Sequence, residues 1–203
     1  AYAIVNPKRA DDLYPNDHLC GGGLAFKLAQ ALSHGEEWTK WLLDAAAIST
    51  IADMVPLVGE NRAIAYYGLK VLRKSPRPGL LRLLRKARVG QREMTEDDVA
   101  FTIAPHINAA SRMDVPRRAF ELLSTKDHHE AEALADHLFS LNSERKTLVS
   151  SMLHDARSLF RADDPVIVIG KEEWRPGVGG LVANKLMEEY RKPAFVWGAQ
   201  GLP

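Results

Sequence analysis

The sequence predicts a helix-rich α/β chain that closes in a parallel β-α-β unit. Three stretches carry that prediction. An apolar run, Leu42, Leu43, Ala45, Ala46, Ala47, Ile48 and Ile51, reads as a helix that delivers one carboxylate, Asp53, and stops at Pro56. Leu134, Leu138, Leu141, Leu148, Met152 and Leu159 recur at near-heptad spacing, so Asp127 to Phe160 reads as one long helix. At 1.5 Å per residue it would span roughly 50 Å, long enough to bridge two domains. After Asp163-Asp164-Pro165 the composition shifts to a buried strand, Val166 to Gly170, followed by a helix from Gly179 to Tyr190 and a second strand from Pro193 to Trp197.

With 203 residues, 46% of them hydrophobic, the chain can bury a sizeable core in one domain or two small ones. No apolar run reaches the length of a membrane-spanning helix, and the opening AYAIVNPKRADD lacks the order of a signal peptide. A single cysteine, Cys20, forms no internal disulfide, so a reducing cytoplasm is the expected compartment, with Cys20 a small buried hydrophobe. The net charge of +1 hides a segregation. Nine basic residues and no acid lie between Ala63 and Arg92, and the rest of the chain carries 18 basic against 26 acidic residues. Such a block suits a polyanion partner or a solvated helix face.

In chain order, Tyr2 to Val5 reads as the end of a buried strand closed by Asn6-Pro7. Gly21-Gly22-Gly23 opens an amphipathic helix whose Leu24, Leu28, Ala31 and Leu32 share one face. The glycines lack the Lys-Ser/Thr continuation of a phosphate loop, which favours tight packing against the helix that bears Asp53. Asp53 itself needs a partner if it is buried, because an unpaired carboxylate in apolar surroundings costs several kcal/mol. No Lys or Arg lies between Lys40 and Arg62. That leaves a divalent metal or a cation from elsewhere in the fold, or else a role capping the following turn or facing water.

Two helices are predicted between Asn61 and Leu84, separated by Ser75-Pro76-Arg77-Pro78-Gly79, with Pro78 in a first turn. In the second of them, Leu80, Leu81, Leu84 and Ala87 face in while Arg82, Arg85, Lys86 and Arg88 face out. Thr95-Glu96-Asp97-Asp98 caps a helix that ends at Pro105. The segment His106 to Arg112 is then a loop that offers an amide (Asn108), a hydroxyl (Ser111) and a guanidinium (Arg112) among small alanines, a set suited to a phosphate backbone or to satisfying backbone carbonyls. Asp127-His128-His129 sits at a helix start, where adjacent side chains diverge by about 100°. Asp127 is therefore read as an N-cap and the two histidines as exposed. Trp174 and Arg175 occupy a strand-to-helix loop, where a ring could stack a base and a cation could hold a phosphate.

Four strings in register carry a family resemblance. Thr50-Ile51-Ala52-Asp53-Met54-Val55-Pro56-Leu57 resembles the last metal-binding motif of the DHH phosphoesterases, and within them of the RecJ-like single-strand-specific exonucleases. Leu19 to Leu28, Ile107 to Met113 and Trp174 to Val178 agree in the same order. RecJ-like proteins usually show Arg-Leu/Ile-Asn-Ala-Ala-Gly-Arg at the second of these, so Asn108 and Arg112 match while His106 and Ser111 depart. Arg175 stands where they usually have His.

The resemblance implies a central fragment, without the upstream aspartates and Asp-His-His motif or the downstream Gly/Ser/Arg motif. It implies the end of a DHH-type parallel-sheet domain with a helical extension (1–126), a long connecting helix (127–162) and the start of a DHH-associated α/β domain (163–203). The implied activity is 5′-to-3′ hydrolysis of single-stranded DNA in repair and recombination, using Mn²⁺ or Mg²⁺. Asp53 would be a catalytic metal ligand, and His106, Asn108, Ser111, Arg112, Trp174 and Arg175 would be nucleic-acid contacts. It further implies a monomer with single-stranded DNA and a single-strand-binding protein as partners, and no membrane. Two other readings stand beside it: a DHH phosphoesterase acting on oligoribonucleotides or cyclic dinucleotides, and a non-catalytic nucleic-acid-binding homologue. One carboxylate builds no hydrolytic metal site, so the 203 residues alone are expected to be inactive.

Overall fold

A computed structural model of the chain describes residues 4–161 and 163–200. Among these it contains α1 (Gly21–Leu32), α2 (Leu43–Ala52), α3 (Gly59–Leu72), α4 (Pro78–Ala87), α5 (Ala104–Met113), α6 (Arg117–Ser124), α7 (His128–Ala156), β1 (Ile167–Lys171), α8 (Pro176–Tyr190) and β2 (Ala194–Gly198). A 3₁₀ segment, Glu37–Leu42, leads into α2, and a π-helical segment, Asp98–Ile103, leads into α5. The helix-rich α/β class is the one the sequence predicts. Two compact units result, Ala1–Pro105 with Leu122–Ala135 and His106–Glu121 with Asp136–Pro203.

The first unit is built on α2 and α3, which approach so closely that a Cβ at Gly68 would overlap Ala47. α1 docks on α2 in the same way, with Gly22 against the Ser49 side chain. Cys20 caps α1 by accepting from the Gly23 N–H at 3.3 Å and receives the Ser49 hydroxyl at 3.3 Å. This glycine contact sets which face of α1 is inside. Gly23 and Phe26 are buried, whereas Leu28 and Leu32, expected in the core, are exposed. In α4, Pro78 occupies the first turn as predicted, and Leu80, Leu83 and Leu84 are buried. The strand expected over Tyr2 to Val5 lies partly outside the described residues, and its described part, Ile4 and Val5, is exposed and not in a strand.

Pro105 does not end its helix, contrary to expectation. A proline ring inside an α-helix clashes with the carbonyl four residues back and offers it no donor. The wider π turn over Asp98–Ile103 lets the chain pass Pro105 and continue through Met113.

The second unit holds most of α7 and the β-α-β element. β1 and β2 pair in parallel, Ile167 opposite Ala194 and Lys171 opposite Gly198, as the sequence predicts. α8 supplies Val178, Val182 and Leu186 to a core shared with Ile167 and Ile169. α7 is 29 residues long, about 43 Å. Leu134, Leu138, Leu141 and Met152 are buried as expected, but Leu159 falls beyond the helix end and is exposed.

Asp127 caps α7, its Oδ1 accepting from the His129 and Glu130 N–H groups at 2.7 Å each, and both histidines are exposed. These backbone donors hold the Asp127 carboxyl below its ordinary value. A depressed folded-state pKa contributes stability that is present above the unfolded value and lost as pH falls through the folded one. Asp127→Ala is therefore expected to lower the thermal midpoint at neutral pH and to lower it progressively less as pH falls below about 4, the unfolded value. A deficit unchanged across that range in a thermal melt series would remove the cap from the account.

Candidate nucleic-acid interface

Asp53 is the C-cap of α2 and is exposed. The sequence placed a carboxylate in apolar company at the wrong end of the helix. The buried acid is Asp44 in the first turn, 2% exposed, which accepts from Arg77 Nε at 2.6 Å and from the Ser75 hydroxyl at 2.8 Å. The cation brought from elsewhere in the fold is thus Arg77, and it serves Asp44.

The turn after Asp53 is nonetheless tightly specified. Met54 has a φ of 52°, a left-handed conformation unfavourable for a residue with a Cβ, and it turns the chain sharply at the carboxylate. Asn61, fully buried, donates from Nδ2 to the carbonyls of Pro56 and His18 at 3.0 Å each and pins the turn to α3. Asp53 is therefore an outward-facing group on a fixed corner. Among the described residues no group of three or more His, Cys, Asp or Glu side chains could hold a metal ion. The residues present do not by themselves fit a divalent-metal centre.

Four of the nine residues of the basic block are spent within the fold. Arg73 donates to the Met94 carbonyl at 2.8 Å, Arg77 holds Asp44, and Arg82 and Lys86 both pair with Glu132 at 3.1 Å. Lys70, Lys74, Arg85, Arg88 and Arg92 remain exposed.

In the second unit, His106 to Arg112 is helical instead of a loop, since it belongs to α5. His106 is 9% exposed and stacks on Phe139 with ring centroids 4.0 Å apart, so it faces the core and is not placed to touch a nucleic acid. Ser111 directs its hydroxyl to the Asn108 carbonyl at 3.0 Å. Asn108 is exposed. Arg112 Nη1 donates to the Gly177 carbonyl at 3.2 Å, and Arg175 Nη2 donates to the Met113 carbonyl. Each guanidinium carries five donors, so one backbone bond orients the group and leaves the others for a ligand. Trp174 is 4% exposed, with its indole under Lys171 and Gly198 packed on its backbone, so its ring is part of the core and is not free to stack a base.

Sequence reasoning missed Arg145. Its Nε and Nη2 both donate to Asn142 Oδ1, at 3.1 and 2.9 Å, and Asn142 is 3% exposed. Burial first, and then the neighbouring positive charge of Arg112, push Arg145 below its ordinary value. The two positive charges thus act on one another, and an anion bound near both would offset that repulsion. The signal was present in α7. Ala131, Ala135, Leu138, Asn142, Arg145, Val149, Met152 and Ala156 follow a strict four-three alternation, and the two polar members interrupt an otherwise apolar seam.

No family model matches the chain. It is 44% identical over 199 residues to the single-stranded-DNA-specific exonuclease RecJ of Bacillus subtilis, a match that covers 97% of this chain and 25% of that protein. It superposes on the crystal structure of RecJ in complex with Mg²⁺ from Thermus thermophilus with a TM-score of 0.85 and 36% identity, covering 95% of this chain and 31% of that one. The chain is RecJ-like over nearly its whole length. A crystal structure of exonuclease RecJ bound to manganese matches with a TM-score of 0.83 and 36% identity, over 96% of this chain and 50% of that one. The chain thus spans about a quarter of the length of the Bacillus subtilis RecJ it matches. No described helix is long and apolar enough to cross a membrane.

Proposed function

We propose that these 203 residues are the strand-handling part of a RecJ-type exonuclease that hydrolyses single-stranded DNA from its 5′ end with Mn²⁺ or Mg²⁺. The observation that carries this reading is the pair of braced guanidinium groups, Arg112 on the Gly177 carbonyl and Arg145 on Asn142 Oδ1, on a chain that resembles RecJ throughout. Arg112 and Arg145 hold backbone phosphates, Asn108 donates beside them, and Arg175 braces the end of α5 through the Met113 carbonyl. Asp53 would be one carboxylate toward a divalent ion, for which the described residues supply no further ligand group. The chain itself contributes binding and orientation of the strand. Roles in repair and recombination, a cytoplasmic location, and action as a monomer beside a single-strand-binding protein belong to the same reading.

A second reading, nucleic-acid binding without hydrolysis, is favoured by the exposed Asp53 and the lack of a metal-ligand group among the described residues. One experiment addresses both. The purified chain is expected to bind labelled single-stranded DNA, with a log-log salt slope that drops by about 0.7 in Arg112→Ala and again in Arg145→Ala, one phosphate contact each. It is expected to release no nucleotides with Mn²⁺. Unaltered slopes in both variants would discard the guanidinium pair as the strand site, and Mn²⁺-dependent release would show that these residues complete a metal centre after all.

A further inference from the structure

The first unit carries a second surface that the proposed function does not use. On α3 and just beyond it, Tyr67, Lys70, Val71 and Lys74 recur at helical spacing on one face, and opposite them the 3₁₀ segment presents Trp38 and Trp41. Together with Leu43 they line an open groove of about 660 Å³. Trp38 and Trp41 are each 52% exposed and Tyr67 55%, which is an unusual concentration of large rings in water. The groove is rimmed by Lys40, Lys70 and Lys74. The acid that lines it, Glu37, is tied to Lys40 at 2.6 Å, and at its edge Glu36 accepts from the Trp38 indole N–H at 2.6 Å. Lys70 rests over Tyr66 at 4.1 Å and over Tyr67 at 5.5 Å, so its ammonium is held at the aromatic surface and not in an ion pair with any described carboxylate.

We infer that this groove is an accessory binding track for single-stranded nucleic acid. Bases stack on Trp38, Trp41 and Tyr67, and the phosphates that connect them meet Lys70 and Lys74. Flat apolar rings flanked by cations are what an unpaired strand requires, because every base has a face to stack and every linkage carries a negative charge. A purely apolar partner would leave the lysines uncompensated. The choice of DNA as the strand rests on the function proposed above, while the groove stands on its own residues.

The test is a titration of the 203-residue chain with a short fluorescent oligothymidylate in EDTA, alongside an abasic oligonucleotide of the same length. Trp38 and Trp41 fluorescence is expected to quench on binding. Trp41→Ala and Trp38→Ala, each shown folded by circular dichroism, are expected to weaken oligothymidylate binding about fivefold or more and to leave abasic binding nearly unchanged. Lys70→Gln and Lys74→Gln are each expected to lower the salt slope by about 0.7. If the tryptophan and lysine variants bind like the parent while Arg112→Ala binds more weakly, the groove is overturned and the proposed strand site stands. The opposite pattern keeps the groove and removes the site at Arg112. Saturable tryptophan quenching by an acidic, aromatic-containing peptide, with none by the oligonucleotide, overturns the proposal in favour of a protein partner.

Discussion

Arg77→Ala is expected to destabilise the first unit by about 3 kcal/mol, the low end of the range for a buried pair that loses one partner, because Arg77 itself is partly exposed. Asp44 is 3% exposed at its side chain and Arg77 29%, and the Nε–Oδ2 distance is 2.6 Å. Truncating Arg77 leaves the carboxylate in the core with the Ser75 hydroxyl and its neighbour's N–H, and it also frees the Leu123 carbonyl that Arg77 Nη1 now satisfies at 3.1 Å. The contrast lies in the same basic block. Arg85 is exposed, and Arg85→Ala is expected to shift stability by no more than about 0.5 kcal/mol. The double variant Asp44→Ala with Arg77→Ala should cost less than the sum of the single ones, since no orphaned charge remains. Urea denaturation decides it. Equal midpoints for the Arg77 and Arg85 variants would show that the pair contributes nothing of consequence.

Two glycine substitutions are expected to move stability in opposite directions. Both glycines are inside helices, where alanine is favoured over glycine by about 1 kcal/mol if nothing else changes. At Gly180 in α8 a Cβ would meet nothing within 4 Å, so Gly180→Ala is expected to stabilise by that amount. At Gly68 in α3 the same atom would overlap the Ala47 side chain and come within 2.6 Å of the Leu43 carbonyl. α2 and α3 must then separate along the contact that fixes the corner bearing Asp53. Overpacking of this kind costs about 1–3 kcal/mol and more where backbone is the obstacle, which outweighs the gain in propensity. A net loss is expected for Gly68→Ala, read as a lower thermal midpoint than the parent beside a higher one for Gly180→Ala. Stabilisation by both would mean that the α2–α3 approach is looser than described.

Much of the fold was legible because it rests on local rules. The β-α-β order, the proline in the first turn of α4, the Asp127 cap and most of the long α7 stripe follow from period, turn chemistry and capping, each contained within a few neighbouring residues. Where local rules conflict with context, the reading failed. Pro105 is a helix breaker only if the preceding turn is α-helical, and the π segment before it removes the clash. α1 looked amphipathic through its leucines, but the glycines chose the buried face by allowing the closest approach.

The candidate site was legible in position more than in role. Asn108 and Arg112 were found from residue type, yet His106 and Trp174 read as nucleic-acid contacts because their burial cannot be seen in a string. Sequence by itself determined the fold class, the order of elements and the likeness to RecJ, since those depend on periodicity and on spelled motifs. Only the tertiary structure decided that Asp44 and not Asp53 is the buried acid, that Arg77 is spent on that acid and not on a polyanion surface, and that Arg145 is braced by the buried Asn142. The physical reason is common to all three. The energy of a charge is set by what lies within a few ångströms of it, and for Asp44 that neighbour is Arg77, 33 positions away in sequence.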